Sequence, residues 1–309
     1  MSVALKTSFV SLVSVLWVLI IEAQEISSVV IMDEIIVSAD NKFDVENFIE
    51  VVIHDSTFYQ SFLNLKYYPH KFTGTMNVRN KKEKEKGTMY RTARQDLNNE
   101  KRSVEILEEE ISAKLMDKNG NFNYLTAEMY DEIFFPKYPE PVSTKMLSLS
   151  QNEKKGSKME KYKSQVKKMM FNPGSAINSV PFIGDKLAIF SDEMVPYYDY
   201  HISSGYTEDS TYCYIFEVQS KAENKRNDTV IKFMKSYFDK ESMNVMKREY
   251  RLMYKTVILD FDIYMDVKNT MLGNQLIPKY IRYDGQWDIP FKKAEVIKFT
   301  IDNYQWKSK

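Results

Sequence analysis

The strongest constraint on the fold of this chain is an alternation of apolar and polar side chains over residues 257–267. The apolar side chains share one parity: Val257, Leu259, Phe261, Ile263, Met265 and Val267. Three carboxylates share the other parity: Asp260, Asp262 and Asp266. Because successive side chains of a β-strand point to opposite faces, this period of two predicts a strand with one apolar and one acidic face. The apolar face of such a sheet either covers a hydrophobic core or binds an apolar ligand.

More strands are predicted around this segment, and together they indicate an antiparallel meander over residues 197–304. The segments rich in β-branched and aromatic side chains are 212–218, 230–239, 244–255, 277–285 and 296–304. A short turn centred on Lys255 and Thr256 would fix the register of two of these strands. The expected cross-strand neighbours are Leu252 with Leu259, Tyr250 with Phe261, Met246 with Met265, and Arg251 with Asp260. Apolar side chains would then face apolar ones, and opposite charges would meet.

Helices and a first group of strands are predicted before the meander. Residues 43–65 lack Gly and Pro and repeat apolar side chains near helical spacing, so they predict two helices, the second capped by Asp55 or Ser56. Residues 27–41 also look helical, but this prediction is ambiguous because their β-branched residues suit a strand as well. Short strands separated by charged turns are expected over residues 71–128, and residues 123–130 predict either a further strand or the start of a helix.

The middle of the chain is expected to contain no regular sheet. Residues 151–168 carry seven Lys against two Glu and predict an exposed helix or a connection. Residues 171–200 combine Pro and Gly with many apolar side chains. Since exposed apolar surface is unfavourable, this loop is expected to rest against the sheet.

The first 23 residues are typical of a secretory signal peptide. Lys6 precedes an apolar run, and Ala23 is the expected cleavage position, although an uncleaved anchor helix is the alternative. The run is shorter than the roughly 20 residues that span a bilayer, so no stable transmembrane segment is expected after cleavage. We therefore expect export, to the periplasm or the outer membrane of a Gram-negative bacterium. The single cysteine, Cys213, excludes an internal disulfide and is expected to be buried.

Overall charge gives no indication of a nucleic-acid partner. Lys plus Arg equals Asp plus Glu, at 43 each, so no global field would attract a polyanion. Catalytic and metal motifs are also missing from the sequence, because His54, His70 and His201 are scattered and follow no zinc spacing. No cofactor or metal is predicted.

The acidic row of Asp260, Asp262 and Asp266 is the nearest approach to a catalytic or calcium-binding pattern. Paired carboxylates perform acid–base chemistry in glycosidases, and carboxylates also hold calcium. Basic neighbours are expected across from this row, however, so charge that keeps the sheet surface soluble is the preferred interpretation.

The second half of the chain resembles a group of exported proteins of Bacteroidota-type bacteria, which are similar in strand pattern to the LolA/LolB-like lipoprotein carriers. The resemblance covers roughly residues 197–304 and rests on PYYDY, YCYIFEV, DFDIYMDV and IPKYIRYDGQWDIPFKKAEVIKFT. It also rests on Asp239 at a strand end and on a YDG turn at 283–285. The resemblance implies a curved, half-closed antiparallel sheet around helices, with an apolar concavity that accepts acyl chains.

These observations predict one α+β domain after the signal peptide, over residues 24–309. A large curved antiparallel β-sheet, a half-barrel-like meander, is expected to pack on N-terminal helices. The expected parts are a helical part at 24–70, first strands at 71–150, the basic segment and Pro/Gly-rich loop at 151–196, and the meander at 197–304.

The preferred functional hypothesis is non-catalytic binding of an apolar or lipid-like ligand in the sheet concavity. The expected ligand-binding residues are Leu252, Leu259, Phe261, Ile263 and Met265. The alternative is a structural or interaction protein of the cell envelope with a protein partner, a solid core and no ligand. A carboxylate-dependent hydrolase is the third possibility.

Overall fold

A computed structural model describes residues 34–36, 44–112, 114–142, 167–174, 183–255, 260–288 and 294–307. The predicted signal peptide lies outside these ranges. Residues 151–166 of the basic segment and Leu259 of the predicted ligand site lie outside them as well.

The described residues include three α-helices and twelve β-strands. The helices are α1 (Val45–Ile53), α2 (Thr57–Leu65) and α3 (Leu125–Phe134). The first strands are β1 (Glu34–Ile36), β2 (His70–Arg79), β3 (Glu85–Asn98), β4 (Lys101–Ile111) and β5 (Glu140–Pro141). The later strands are β6 (Tyr198–Tyr206), β7 (Tyr212–Ser220), β8 (Ile231–Asp239), β9 (Val245–Lys255), β10 (Asp260–Leu272), β11 (Gln275–Asp288) and β12 (Glu295–Tyr304).

All twelve strands belong to one open, curved sheet with the order β1-β6-β7-β8-β9-β10-β11-β12-β2-β3-β4-β5. Neighbours are antiparallel except β1, which runs parallel to β6. The predicted meander is confirmed as β6 to β12, and a second meander runs from β2 to β5. Pairing of β12 with β2 joins the two, and the Thr75 and Thr300 hydroxyls lie 2.7 Å apart although 225 residues separate them.

The register of β9 against β10 differs from the predicted one by four residues. Lys255 pairs with Asp260, Tyr254 with Phe261, Leu252 with Ile263, Arg251 with Tyr264, and Tyr250 with Met265. The predicted turn is wrong, because Lys255 still belongs to β9 and residues 256–259 separate the two strands. A shift by an even number keeps every side chain on its own face. The apolar face is therefore as predicted, although the individual partners differ.

The YDG sequence at residues 283–285 does not form the predicted turn. It lies inside β11, where Tyr283 pairs with Met265 and Gly285 pairs with Ile263. Glycine is needed here for close approach, because a Cβ on Gly285 would collide with the Tyr283 hydroxyl. The other feature of the resemblance is confirmed, since β8 ends at Asp239.

Both helices predicted over residues 43–65 are present. Asp44 caps α1 by accepting a hydrogen bond from the Asn47 amide at 3.0 Å. Asp55 supplies the cap of α2: its Oδ1 accepts from the amide of Thr57 at 2.8 Å and from its hydroxyl at 2.7 Å. Ser56 makes no capping bond with its side chain. Of the two ambiguous segments, residues 34–36 form a strand and residues 125–134 form a helix.

The helices cover the apolar face of the sheet, as predicted. The Phe48 ring of α1 lies 5.4 Å from Phe238, and the Phe58 ring of α2 lies 6.3 Å from Tyr250. On the other half of the sheet, the Tyr130 ring of α3 lies 4.7 Å from Phe299. These contacts join three helices to one face and bury a continuous core.

Two segments without strands complete this cover. Residues 167–171 are helical, and the Met170 carbonyl accepts a hydrogen bond from the Tyr250 hydroxyl. In the loop after residue 183, the Ile189 carbonyl accepts from the Tyr200 hydroxyl at 2.6 Å, and Phe190 packs 6.0 Å from Phe216. The described part of the apolar loop thus rests on the sheet, as its composition predicts. Cys213 is buried as well, and burial raises the pKa of its thiol to about 12.

The buried ring of His70 is expected to make stability depend on pH in mildly acidic solution. Its Nδ1 lies 2.7 Å from the Tyr68 carbonyl, and its ring lies 4.7 Å from Trp306. Burial lowers the pKa of His70 to about 4. In the unfolded chain His70 has an ordinary pKa near 6.5. Its contribution to the free energy of unfolding is therefore fully present above that pH and is lost as pH drops toward 4, by up to about 3 kcal/mol.

Urea unfolding of the wild type and of His70→Gln at a series of pH values measures this dependence. The variant should lose stability overall and should show a flatter profile between about pH 6.5 and pH 4. His54→Gln, at an exposed position on the turn after α1, is the matched control. Parallel profiles for the wild type and His70→Gln would contradict the prediction.

Candidate functional site

Four of the predicted ligand-binding residues lie together on the apolar face of β9 and β10. Leu252, Phe261, Ile263 and Met265 are all fully buried, and Leu252 pairs directly with Ile263. Tyr250, the cross-strand partner of Met265, contacts Phe58 and donates to the Met170 carbonyl. The chain's own helical segments therefore lie over this part of the face.

The predicted acidic row carries basic partners on the opposite face of β10. Asp260 lies 2.9 Å from Arg226 and 3.3 Å from Lys255. Asp262 receives two hydrogen bonds from Arg251, at 2.7 and 2.6 Å. Arg251 thus pairs with Asp262 and not with Asp260, as a consequence of the shifted register. Paired surface carboxylates of this kind keep a sheet soluble and do not form the unpaired acid–base pair that a glycosidase needs.

Asp266 differs from its two neighbours because it is buried. Burial raises the pKa of its carboxyl group, Lys247 opposes that shift and Glu249 reinforces it. The Lys247 ammonium lies 2.6 Å from Glu249 and 2.7 Å from Glu208. Among the described residues, no cluster of three or more His, Cys, Asp or Glu could hold a metal ion. Within the described ranges this row therefore offers two paired carboxylates, one buried carboxyl group and no metal site.

A pocket that combines apolar walls with buried charge lies between α2, α3, β4, β5 and residues 167–171, and we call it the rim pocket. Its apolar lining is Phe62, Leu65, Ile133, Phe134 and Phe171. Its charged lining is Lys66, Arg102, Glu132, Glu140 and Lys167. Its free volume is about 80 Å³. Phe171 packs edge to face on Phe62 at 4.8 Å, so one wall of the rim pocket belongs to the segment that also covers Tyr250.

Two of the rim pocket's cations are buried and paired with carboxylates that reach the surface. Arg102 lies 2.9 Å from Glu140 and also donates to the Ile133 carbonyl at 2.9 Å. Lys167 lies 2.8 Å from Glu132. The cationic side chains are 7% and 5% exposed, whereas the carboxylate side chains are 40% and 39% exposed. The positive ends of both pairs thus face the interior.

The third cation, Lys66, follows α2 and is partly buried. Within the described ranges its ammonium group makes no ion pair or hydrogen bond. Burial lowers the pKa of Lys66, the positive charge of Arg102 lowers it further, and Glu140 opposes both effects. The Nε of Arg102 is also buried without a hydrogen-bond partner in the described part of the chain. Two unsatisfied cationic donors therefore line one small apolar pocket.

Comparison with known proteins shows only a distant likeness. No family model matches the chain, and no curated protein matches it. A DUF1329 family protein from Desulfovibrio piger is similar at 9% identity, with 81% of this chain and 91% of that chain covered and a TM-score of 0.24. A putative outer membrane lipoprotein-sorting protein domain from Vibrio parahaemolyticus is similar at 8% identity, with 77% and 84% covered and a TM-score of 0.26.

Lipovitellin, whose structure is described in terms of lipid–protein interactions, is similar at 7% identity over 78% of this chain and 25% of that chain, with a TM-score of 0.23. None of these three TM-scores exceeds 0.26, so function is inferred from the chain's own contacts. Within the described ranges, no helix has both the length and the apolar character to cross a bilayer.

A wider open groove, lined in part by β4, α3 and the proline-rich residues 136–141, shares Glu132 and Glu140 with the rim pocket. Its floor includes Arg91, which forms ion pairs with Glu109 and Asp131. Arg91 also lies 4.8 Å above the Phe135 ring. The buried cation of this groove is thus paired with two carboxylates, whereas Lys66 of the rim pocket makes no ion pair within the described ranges.

Sequence reasoning missed the rim pocket because its lining comes from five separate segments: α2, β4, α3, β5 and residues 167–171. Lys66 directly follows the apolar face of α2, which was a weak signal that its stem would be buried. Arg102 gave no signal, because its position in a strand of mixed polarity does not show that β5 and α3 would cover it.

Proposed function

We propose that this protein is an exported, non-catalytic binding protein for an apolar or lipid-like ligand. The observation that carries the proposal is the rim pocket, whose five apolar side chains lie beside the covered apolar face of the sheet. The predicted signal peptide at residues 1–23 supports a site of action in the periplasm or at the outer membrane. A single domain over residues 24–309 would carry the whole binding function.

The rim pocket as it stands admits only one end of such a ligand. Its free volume of about 80 Å³ is smaller than the roughly 150 Å³ of an apolar cavity that holds benzene. A longer chain would have to displace Phe171 and the helical residues 167–171. Because Met170 of that segment covers Tyr250, the displacement would open a path toward Met265 and Ile263. Leu252, Phe261, Ile263 and Met265 would then contact the ligand.

The second candidate function is that of a structural or interaction protein of the cell envelope, which binds another protein and no apolar ligand. The close cover of the sheet by α1, α2 and residues 167–171 favours it. The hydrolase is not favoured, because Asp260 and Asp262 both have basic partners.

Ile133→Phe is expected to weaken binding of the neutral apolar dye Nile red by at least about tenfold. Ile133 is half-buried and lines the rim pocket, so a larger side chain fills the free volume with little disturbance of the core. Dye fluorescence measures the affinity, and native mass spectrometry of the purified protein measures any co-purified lipid.

Leu125→Phe is the matched control, because Leu125 is half-buried at the start of the same helix and does not line the pocket. It should bind the dye as the wild type does. If the wild type binds neither dye nor lipid, the binding function is wrong and the structural role is preferred. If Ile133→Phe binds as the wild type does, the rim pocket is not the entry site.

A further inference from the structure

The charges of the rim pocket are unbalanced. Among the described residues, Lys66, Arg102 and Lys167 line it together with two carboxylates, Glu132 and Glu140. Both carboxylates already pair with a cation, so the positive charge of Lys66 is left over. Both carboxylates also reach the surface, whereas the cations are turned inward. The interior of the pocket is therefore cationic although the chain as a whole is neutral.

Leaving a partly buried ammonium group without a partner is unfavourable unless something compensates for it. A cation that loses water and gains no counter-charge destabilises the fold, and its pKa falls in consequence. The lowered pKa of Lys66 has this cause, with burial as the largest effect. The unpaired Nε of Arg102, in a side chain 7% exposed, adds a second unsatisfied donor. An anion in the pocket would satisfy both groups.

We propose that the rim pocket binds the anionic head of a single-chain amphiphile, a carboxylate or a phosphate monoester. The inference rests on the proposed function and names the class of ligand. The head accepts hydrogen bonds from the Lys66 ammonium and the Arg102 Nε–H, which are stronger than bonds between neutral groups. The apolar tail lies against Phe62, Phe134 and Phe171. A neutral head leaves both cations unpaired and binds more weakly.

The test compares oleate with oleyl alcohol, which share one tail and differ in the charge of the head. Displacement of Nile red from the full chain measures both affinities. We expect oleate to bind at least about tenfold more tightly than the alcohol. Lys66→Met removes the charge and keeps the length of the side chain, so it should reduce this ratio severalfold, with the Arg102 Nε–H left as the remaining donor. Lys66→Arg restores a cation and should restore much of the ratio.

Lys82→Met is the matched control, because Lys82 lies exposed in the turn between β2 and β3. It should retain the wild-type ratio, and thermal unfolding should show that all variants are folded. Acetate and inorganic phosphate supply the head without a tail, and both should displace the dye at least about a hundredfold more weakly than oleate.

Three results would overturn the inference. Equal affinities of the wild type for oleate and oleyl alcohol would show that the head charge is not recognised, while the proposed apolar binding would stand. An unchanged ratio in Lys66→Met would assign the selection to other residues. Displacement by acetate or phosphate at the affinity of oleate would make the pocket a site for free anions. If neither oleate nor the alcohol binds, the proposed function itself fails.

Discussion

Phe261→Ala is expected to lower the free energy of unfolding by about 3–5 kcal/mol. The Phe261 side chain is 1% exposed at the apolar face of β10, and its ring lies 5.2 Å from Trp287 on β11. Truncation removes buried apolar surface and leaves a cavity that the neighbouring strands cannot close. Phe261→Asp should prevent folding altogether, because it places a charge without a partner in the same space.

Urea unfolding followed by tryptophan fluorescence and by far-ultraviolet circular dichroism measures the effect. Phe233→Ala is the matched control, because Phe233 is half-buried on the outer face near Tyr264 and should cost about 1 kcal/mol or less. A loss below about 1 kcal/mol for Phe261→Ala would mean that this part of the sheet has free space beneath its cover. That result would favour a ligand cavity reaching β10.

Asp55→Ala is expected to cost a similar amount, about 3–5 kcal/mol, for a different reason. The Asp55 side chain is 3% exposed and its Oδ2 lies 2.9 Å from Arg248, which is 6% exposed. Its removal leaves the guanidinium group buried without its carboxylate. The same side chain caps α2, and the Thr57 hydroxyl that it accepts from also accepts from the Val245 amide at 3.0 Å. One substitution would therefore loosen the attachment of α2 to β9.

Thermal and urea unfolding of Asp55→Ala, Asp55→Asn and Asp260→Ala separate the contribution of the helix cap from that of the buried ion pair. Asp55→Asn retains an oxygen for the cap and loses the negative charge, so its stability should lie between those of the wild type and Asp55→Ala. Asp260→Ala breaks a more exposed pair with Arg226 and should cost about 1 kcal/mol or less. If Asp55→Ala were as stable as Asp260→Ala, the buried pair would contribute no more than a surface pair.

The apolar face of the sheet could be predicted from sequence because it depends only on parity. Phe261, Ile263 and Met265 alternate with polar residues. Their side chains are buried in the core whichever residues of the neighbouring strand they pair with. The register itself depends on the length of one connection. The sequence shows no glycine near Lys255, so nothing marked residues 256–259 as the connection, and the predicted partners were four residues out.

Contacts between distant segments could not be predicted from local patterns. Asp55 showed the capping preference of a helix start, but its pairing with Arg248 spans 193 residues and leaves no periodic signal. The rim pocket likewise depends on contacts between distant segments. Lys66 and Arg102 approach each other only after β4 has paired with β5 and α3 has packed over both. Periodicity predicts which face is buried, whereas the identity of distant neighbours is decided by tertiary packing.

The pairing of β12 with β2 means that the sheet can be completed only after the last strand has been synthesised. At about 5–20 residues per second, a ribosome needs roughly 10–45 s to make the 225 residues between Thr75 and Thr300. During that time β2 has β3 on one side and an open edge on the other, which is a template for pairing with another chain. The open edge of β2 must therefore be kept from premature pairing until the last strand is made. Under the proposed export, holding the chain unfolded until it has crossed the membrane would serve that purpose.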